Sequence, residues 1–81
     1  MLNQKEEELM EALSNLIVQK RGQNSWSEED LARVANLSAR RIRALEKGRE
    51  NFSLDVLSKL ARAFDLSVLD LIAEAEDFKN S

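Results

Sequence analysis

The chain contains no cysteine and no histidine. The first absence excludes a disulfide framework, and the two together exclude zinc centres built from the usual ligands. Without imidazole there is no side chain whose ordinary pKa suits proton shuttling near neutral pH. Most common catalytic apparatus is therefore missing, and no catalytic residue, metal site or cofactor is expected. Proline is absent too, and glycine occurs only at Gly22 and Gly48, so little interrupts a helical chain. Apolar runs extend only a few residues, and the first twenty residues carry Glu6, Glu7, Glu8 and Glu11. Neither a membrane span nor a secretory leader fits that pattern, which points to a soluble, cytoplasmic protein.

What is present is leucine, alanine, glutamate, arginine and lysine in quantity, all good helix formers, so the fold class expected is all-α. Eighty-one residues allow one domain at most. A core of that size is marginal by itself, and a second subunit is expected to add to it. The formal net charge of −3 argues at first against a nucleic-acid partner. Its distribution argues the other way. Residues 1–19 hold one basic and four acidic side chains, residues 20–49 eight and four, and residues 50–81 three and seven, for local charges of −3, +4 and −4. A basic middle between acidic ends confines positive potential to one stretch.

The first helix is predicted over about 4–21, capped by Asn3, with glutamates in its early turns and Lys20 and Arg21 before Gly22. Its apolar stripe is Leu9, Leu13, Leu16 and Ile17. One pattern then occurs four times: an apolar residue, a serine, three residues, another apolar residue. It reads Trp26-Ser27 to Leu31, Leu37-Ser38 to Ile42, Phe52-Ser53 to Leu57, and Leu66-Ser67 to Leu71. Each serine can accept a hydrogen bond from a first-turn amide, while the apolar residues flank it as a hydrophobic staple. Helices are thus predicted to start near 28, 39, 54 and 68. The fourth would run to about 64 and the fifth to about 78. The second and third, within 28–47, leave room only for a tight Asn36-Leu37-Ser38 turn, with Asn36 suited to a left-handed conformation. The predicted core adds Leu31, Val34, Ala35, Ile42, Leu45, Leu57, Leu60, Ala61, Phe64, Leu71, Ile72 and Ala75. Val68, Leu69 and Phe78 exceed what one face of the last helix needs. With Ile72 they form a candidate dimer surface, with packing onto the first helix as the alternative.

With Ile42 and Leu45 facing inward, helical spacing puts Arg40, Arg43, Ala44 and Lys47 on the opposite face of the third helix, with Arg41 at its flank. An arginine fork can engage guanine bidentately or pair with phosphate, and a helix of this width fits the major groove. The bland reading is a solvated face with pairs such as Arg43 to Glu46 or Glu50. Two short helices joined by a tight turn, the second bearing the basic face, favour the groove-reading arrangement.

The stretch from Ser27 to Ser67 resembles the Cro/C1-type helix-turn-helix family of phage repressors and bacterial regulators. Carrying the resemblance are Leu31 and Ala32, Leu37-Ser38, Ile42, Leu45-Glu46, Gly48, Ser53, Leu57, Leu60-Ala61 and Phe64. It implies a compact five-helix bundle of the lambda-repressor-like type. It further implies base contacts from Ala39, Arg40 and Arg41, with Arg43 and Ala44 a turn later, and phosphate contacts from Ser27, Glu28, Lys47, Arg49 and Asn51. The backbone amide at Ser27 is a candidate phosphate ligand through the helix dipole. Within the family, the size and the ENFSLDVLSKLA segment look most like restriction-modification controller proteins and small phage repressors.

Some positions depart from the family's habits. Glu28 stands where glutamine is common, Asn36 where glycine is common, and Phe52 where proline is common. The loop Gln23-Asn24-Ser25 looks long. Val18 falls where an arginine often pairs with the glutamate corresponding to Glu46, which leaves Glu46 without an assigned partner.

The expectation is a homodimeric, sequence-specific regulator on a near-palindromic double-stranded DNA operator, controlled by its own concentration, with no small-molecule effector evident. The alternative is the same fold as an antitoxin-like or adaptor module that binds a basic protein partner.

Overall fold

The computed structural model describes residues 3–80, which form five helices: α1 (Gln4–Gln23), α2 (Glu28–Ala35), α3 (Ala39–Glu46), α4 (Leu54–Ala63) and α5 (Val68–Lys79). All five predicted starts hold, and each has a side-chain cap. Asn3, Ser27, Ser38, Ser53 and Ser67 accept from the amides of Glu6, Asp30, Arg41, Val56 and Asp70. At Asn3, Ser27 and Ser67 the third helical residue also reaches back to the cap amide, completing a capping box.

The helix ends follow an equally local rule. Ser25, Asn36, Gly48 and Asp65 have φ values of 57°, 57°, 71° and 60°, all left-handed. The residue after each donates its amide back into the preceding helix: Trp26 to Arg21, Leu37 to Ala32, Arg49 to Ala44 and Leu66 to Ala61, at 2.8–3.0 Å. These are Schellman closures, in which the reversal satisfies carbonyls that the last turn leaves unpaired. Trp26, Leu37 and Leu66 therefore close one helix and staple the next. That double duty makes three of the connections short and sets the angle between successive helices. It also removes the long loop expected before α2: residues 22 and 23 belong to α1, and the chain turns at Asn24 and Ser25.

The core lies where the five helices converge. Leu13, Ile17, Leu31, Ile42, Leu45, Val56, Leu60 and Leu71 are its largest fully buried side chains. Burying each contributes about 1.5–3 kcal/mol, which is what holds short helices that would not persist alone. α5 lies against α1 and α4, α2 packs between α3 and α4, and α1 also touches α3. Trp26 stacks on Phe64 with ring centroids 5.8 Å apart, and the Lys20 ammonium sits over the Phe64 ring while pairing with Glu74 at 2.7 Å. Val34, expected in the core, is 46% exposed, because the short α2 buries only Leu31, Ala32 and Ala35.

Candidate nucleic-acid interface

α3 is held from behind and open in front. Ile42 and Leu45 are completely buried, and the Ser14 hydroxyl of α1 donates to the Leu45 carbonyl at 2.7 Å. The Asn36 turn, at φ 57° and ψ 46°, sets α3 across the end of α2. At the far end of α3, Arg21 of α1 makes a two-point ion pair with Glu46, Nε to Oε2 at 2.7 Å and Nη2 to Oε1 at 3.1 Å. Its third contact, Nη1 to the Trp26 carbonyl at 3.1 Å, ties the same guanidinium to the start of α2. Arg21, three residues beyond Val18, is the partner that the sequence left unassigned for Glu46. Val18 lies on the exposed side of α1 and is 41% exposed.

Burial pushes the Glu46 carboxyl above the ordinary glutamate value; the Arg21 hydrogen bond opposes that shift and Glu28 adds to it. The Arg21 guanidinium is correspondingly pushed up, chiefly by its hydrogen bond to Glu46.

The front of α3 carries the expected arginines, but their partners differ from the intrahelical pairs considered above. Arg41 bonds to Glu50 Oε2 through both Nε and Nη2 at 2.9 Å. Arg43 Nη1 lies 3.6 Å from Glu29 and 3.8 Å from Glu28, both at the start of α2. Arg40 is exposed and makes no ion pair among the described residues. Lys47, Arg49 and Asn51 are likewise exposed, on the rim formed by the end of α3 and the Gly48 reversal. Ala44 is half-buried, and Ala39 is half-buried against the core.

Ser27 is already committed locally. Its amide donates to Asp30 Oδ2 at 2.9 Å, and its hydroxyl accepts from the Asp30 amide at 3.0 Å. The amide expected to face a phosphate is therefore satisfied by the capping box. Asp30 is held below the ordinary aspartate range, first by the Ser27 amide and then by Arg33 and the Ser27 hydroxyl.

A short helix fixed at both ends, with an exposed cationic side and a second helix crossing behind it, is the geometry of a groove-reading unit. The Helix-turn-helix family profile matches residues 17–71, more than half the chain. The chain belongs to the helix-turn-helix family. Its fold is the compact, all-helical Cro/C1-type domain, and the relatives that match are regulators.

The competence pilus inhibition repressor of Acinetobacter baylyi is 33% identical over 60 residues, covering 74% of this chain. The match spans 54% of that repressor, so the chain corresponds to about half the length of this curated relative. Two crystal structures of the clp gene regulator ClgR from Corynebacterium glutamicum are each 28% identical. One superposes with a TM-score of 0.77 over 89% of this chain and 77% of the other, the second with 0.75 over 88% and 91%. No helix among the described residues is long and apolar enough to cross a membrane.

Proposed function

We propose that this helix-turn-helix protein is a sequence-specific DNA-binding transcriptional regulator that sets α3 into the major groove. The observation that carries the reading is the exposed Arg40 on the second turn-linked helix, without an ion pair among the described residues, with Lys47 and Arg49 beside it on the rim. Arg40 is assigned direct base readout. Ala39, Arg41, Arg43 and Ala44 complete the face toward the bases. Lys47, Arg49, Asn51 and the start of α2 at Ser27 and Glu28 lie along the flanking phosphates.

The reading extends to a homodimer on a near-palindromic operator, its two α3 helices entering successive major grooves about 34 Å apart. Leu69 supports this: it is 80% exposed at the start of α5, where a lone subunit gains nothing from a leucine in water. Val68, Ile72 and Phe78 are only half-exposed and lie partly against the core, so Leu69 supplies the most open apolar surface of the four. Such a protein acts where the chromosome is, in the bacterial cytoplasm.

The test is fluorescence anisotropy with duplexes spanning the region upstream of the protein's own gene, against random duplex, at two salt concentrations. Tight, salt-sensitive binding to one upstream duplex, weakened in the Arg40→Ala variant and lost in the Arg40→Ala Arg43→Ala double variant, is the expected result. Equal affinity for cognate and random DNA would overturn sequence-specific regulation.

A further inference from the structure

The three arginines of α3 do not present equal charges to a groove. Among the described residues Arg40 makes no ion pair, Arg41 is held by Glu50 in the connection that follows α3, and Arg43 is drawn sideways onto another helix. The two glutamates that draw it, Glu28 and Glu29, occupy the first turn of α2. Acidic side chains there are favoured by the helix dipole. They also face the surface that a DNA backbone would approach, where negative charge repels phosphate.

We propose that Glu28 and Glu29 are specificity determinants that restrain Arg43 and weaken binding to DNA of the wrong sequence; this rests on the DNA-binding reading above. A free arginine at the mouth of a groove pairs with any phosphate, which strengthens all sequences alike. A restrained arginine must first leave its carboxylates. A phosphate only exchanges one anion for others, whereas a bidentate contact to a base edge offers geometry that carboxylates at 3.6 and 3.8 Å do not supply. The pair therefore discriminates by penalising the non-specific complex, which is specificity achieved through repulsion as well as attraction. The geometry permits the exchange. The Arg43 side chain is 44% exposed, and neither contact is short enough to be a hydrogen bond, so release requires side-chain rotation and no movement of α3.

The experiment measures affinity for a random-sequence duplex pool of about 20 bp and for the tightest duplex selected from it. Glu29→Gln is the cleanest variant, because Glu29 is exposed and its one ion pair among the described residues is with Arg43, whereas Glu28 also faces Glu46. Glu29→Gln is expected to tighten random-duplex binding about two- to fivefold, and Glu28→Gln Glu29→Gln about three- to tenfold, at low salt. The selected duplex should gain less, so the ratio between the two affinities falls. Repeating both variants in an Arg43→Ala background should abolish most of the gain.

Equal gains with and without Arg43 would overturn the proposal, since the glutamates would then act by bare repulsion. Wild-type binding with no gain in either variant would overturn it while leaving DNA binding intact. If neither wild type nor the double variant bound either duplex, the DNA-binding reading would fail and this inference with it.

Discussion

Arg21 grips Glu46 through two parallel nitrogen–oxygen contacts of 2.7 and 3.1 Å and so joins the end of α1 to the end of α3. The Glu46 side chain is only 6% exposed, while Arg21 keeps 21% of its side chain in solvent. Removing the arginine leaves a nearly buried carboxylate facing Glu28. Arg21→Ala is expected to cost about 2 kcal/mol, between the values for exposed and buried pairs. Thermal denaturation followed by circular dichroism should show a fall in Tm of roughly 10 °C. A change within the noise would mean that water replaces the guanidinium without loss.

The two kinds of DNA contact proposed above should separate by sequence dependence. Arg40→Ala should lose about 1–3 kcal/mol on the cognate duplex and much less on random DNA, whereas Arg49→Ala should weaken both nearly equally. Anisotropy titrations of the two variants on both duplexes check this. The same loss on both duplexes for Arg40→Ala would reassign Arg40 to the phosphates.

Asp65 holds a left-handed φ of 60° at the close of α4, where its side chain carries negative charge against the negative end of the helix. Its backbone amide donates to the Arg62 carbonyl at 3.0 Å, and glycine keeps that bond. Asp65→Gly should therefore stabilise the protein by about 0.5–1 kcal/mol, the relief of left-handed strain exceeding the added freedom of the unfolded chain. A chemical denaturation curve with a lower midpoint would contradict this account of the turn.

Acid should weaken the α2 cap in a definable window. The Asp30 carboxyl is depressed in the folded state, so the stability it contributes is present above its ordinary unfolded value and is lost as pH falls through the lower folded value. Tm should decline below about pH 4, and Asp30→Asn should flatten part of that decline. Parallel acid limbs for the two proteins would assign the decline to other carboxylates.

Leu69 separates folding from assembly. At 80% exposure, Leu69→Glu should leave the Tm of the subunit nearly unchanged. Sedimentation is expected to show a dimer for the wild-type protein and a monomer for the variant. A variant that stays dimeric would move the interface away from the start of α5.

Much of the fold was legible because its signals act over a few residues. The apolar-serine pattern marks every start after α1, since a cap hydroxyl and its amide lie three residues apart. Asn36 was legible as a left-handed turn for the same reason. Ser25 and Asp65 play the same part, and the signal that could have found them is their place immediately before an apolar-serine pair. Val34 was misplaced because helical periodicity describes a whole face, whereas an eight-residue helix buries only the part its neighbours cover.

The amino-acid sequence by itself determined where helices begin, which side of α3 is apolar and which is basic, and that positive charge lies in the middle of the chain. Tertiary structure decided which charges meet. The bland reading of the α3 face offered Arg43 the nearby Glu46 or Glu50, yet Arg43 faces Glu28 and Glu29, while Arg41 takes Glu50 and Arg21 takes Glu46. Caps and staples form within a single turn of chain and are therefore local. An ion pair between helices depends on the angle and offset at which they cross, and those are set by the shared core rather than by either segment alone.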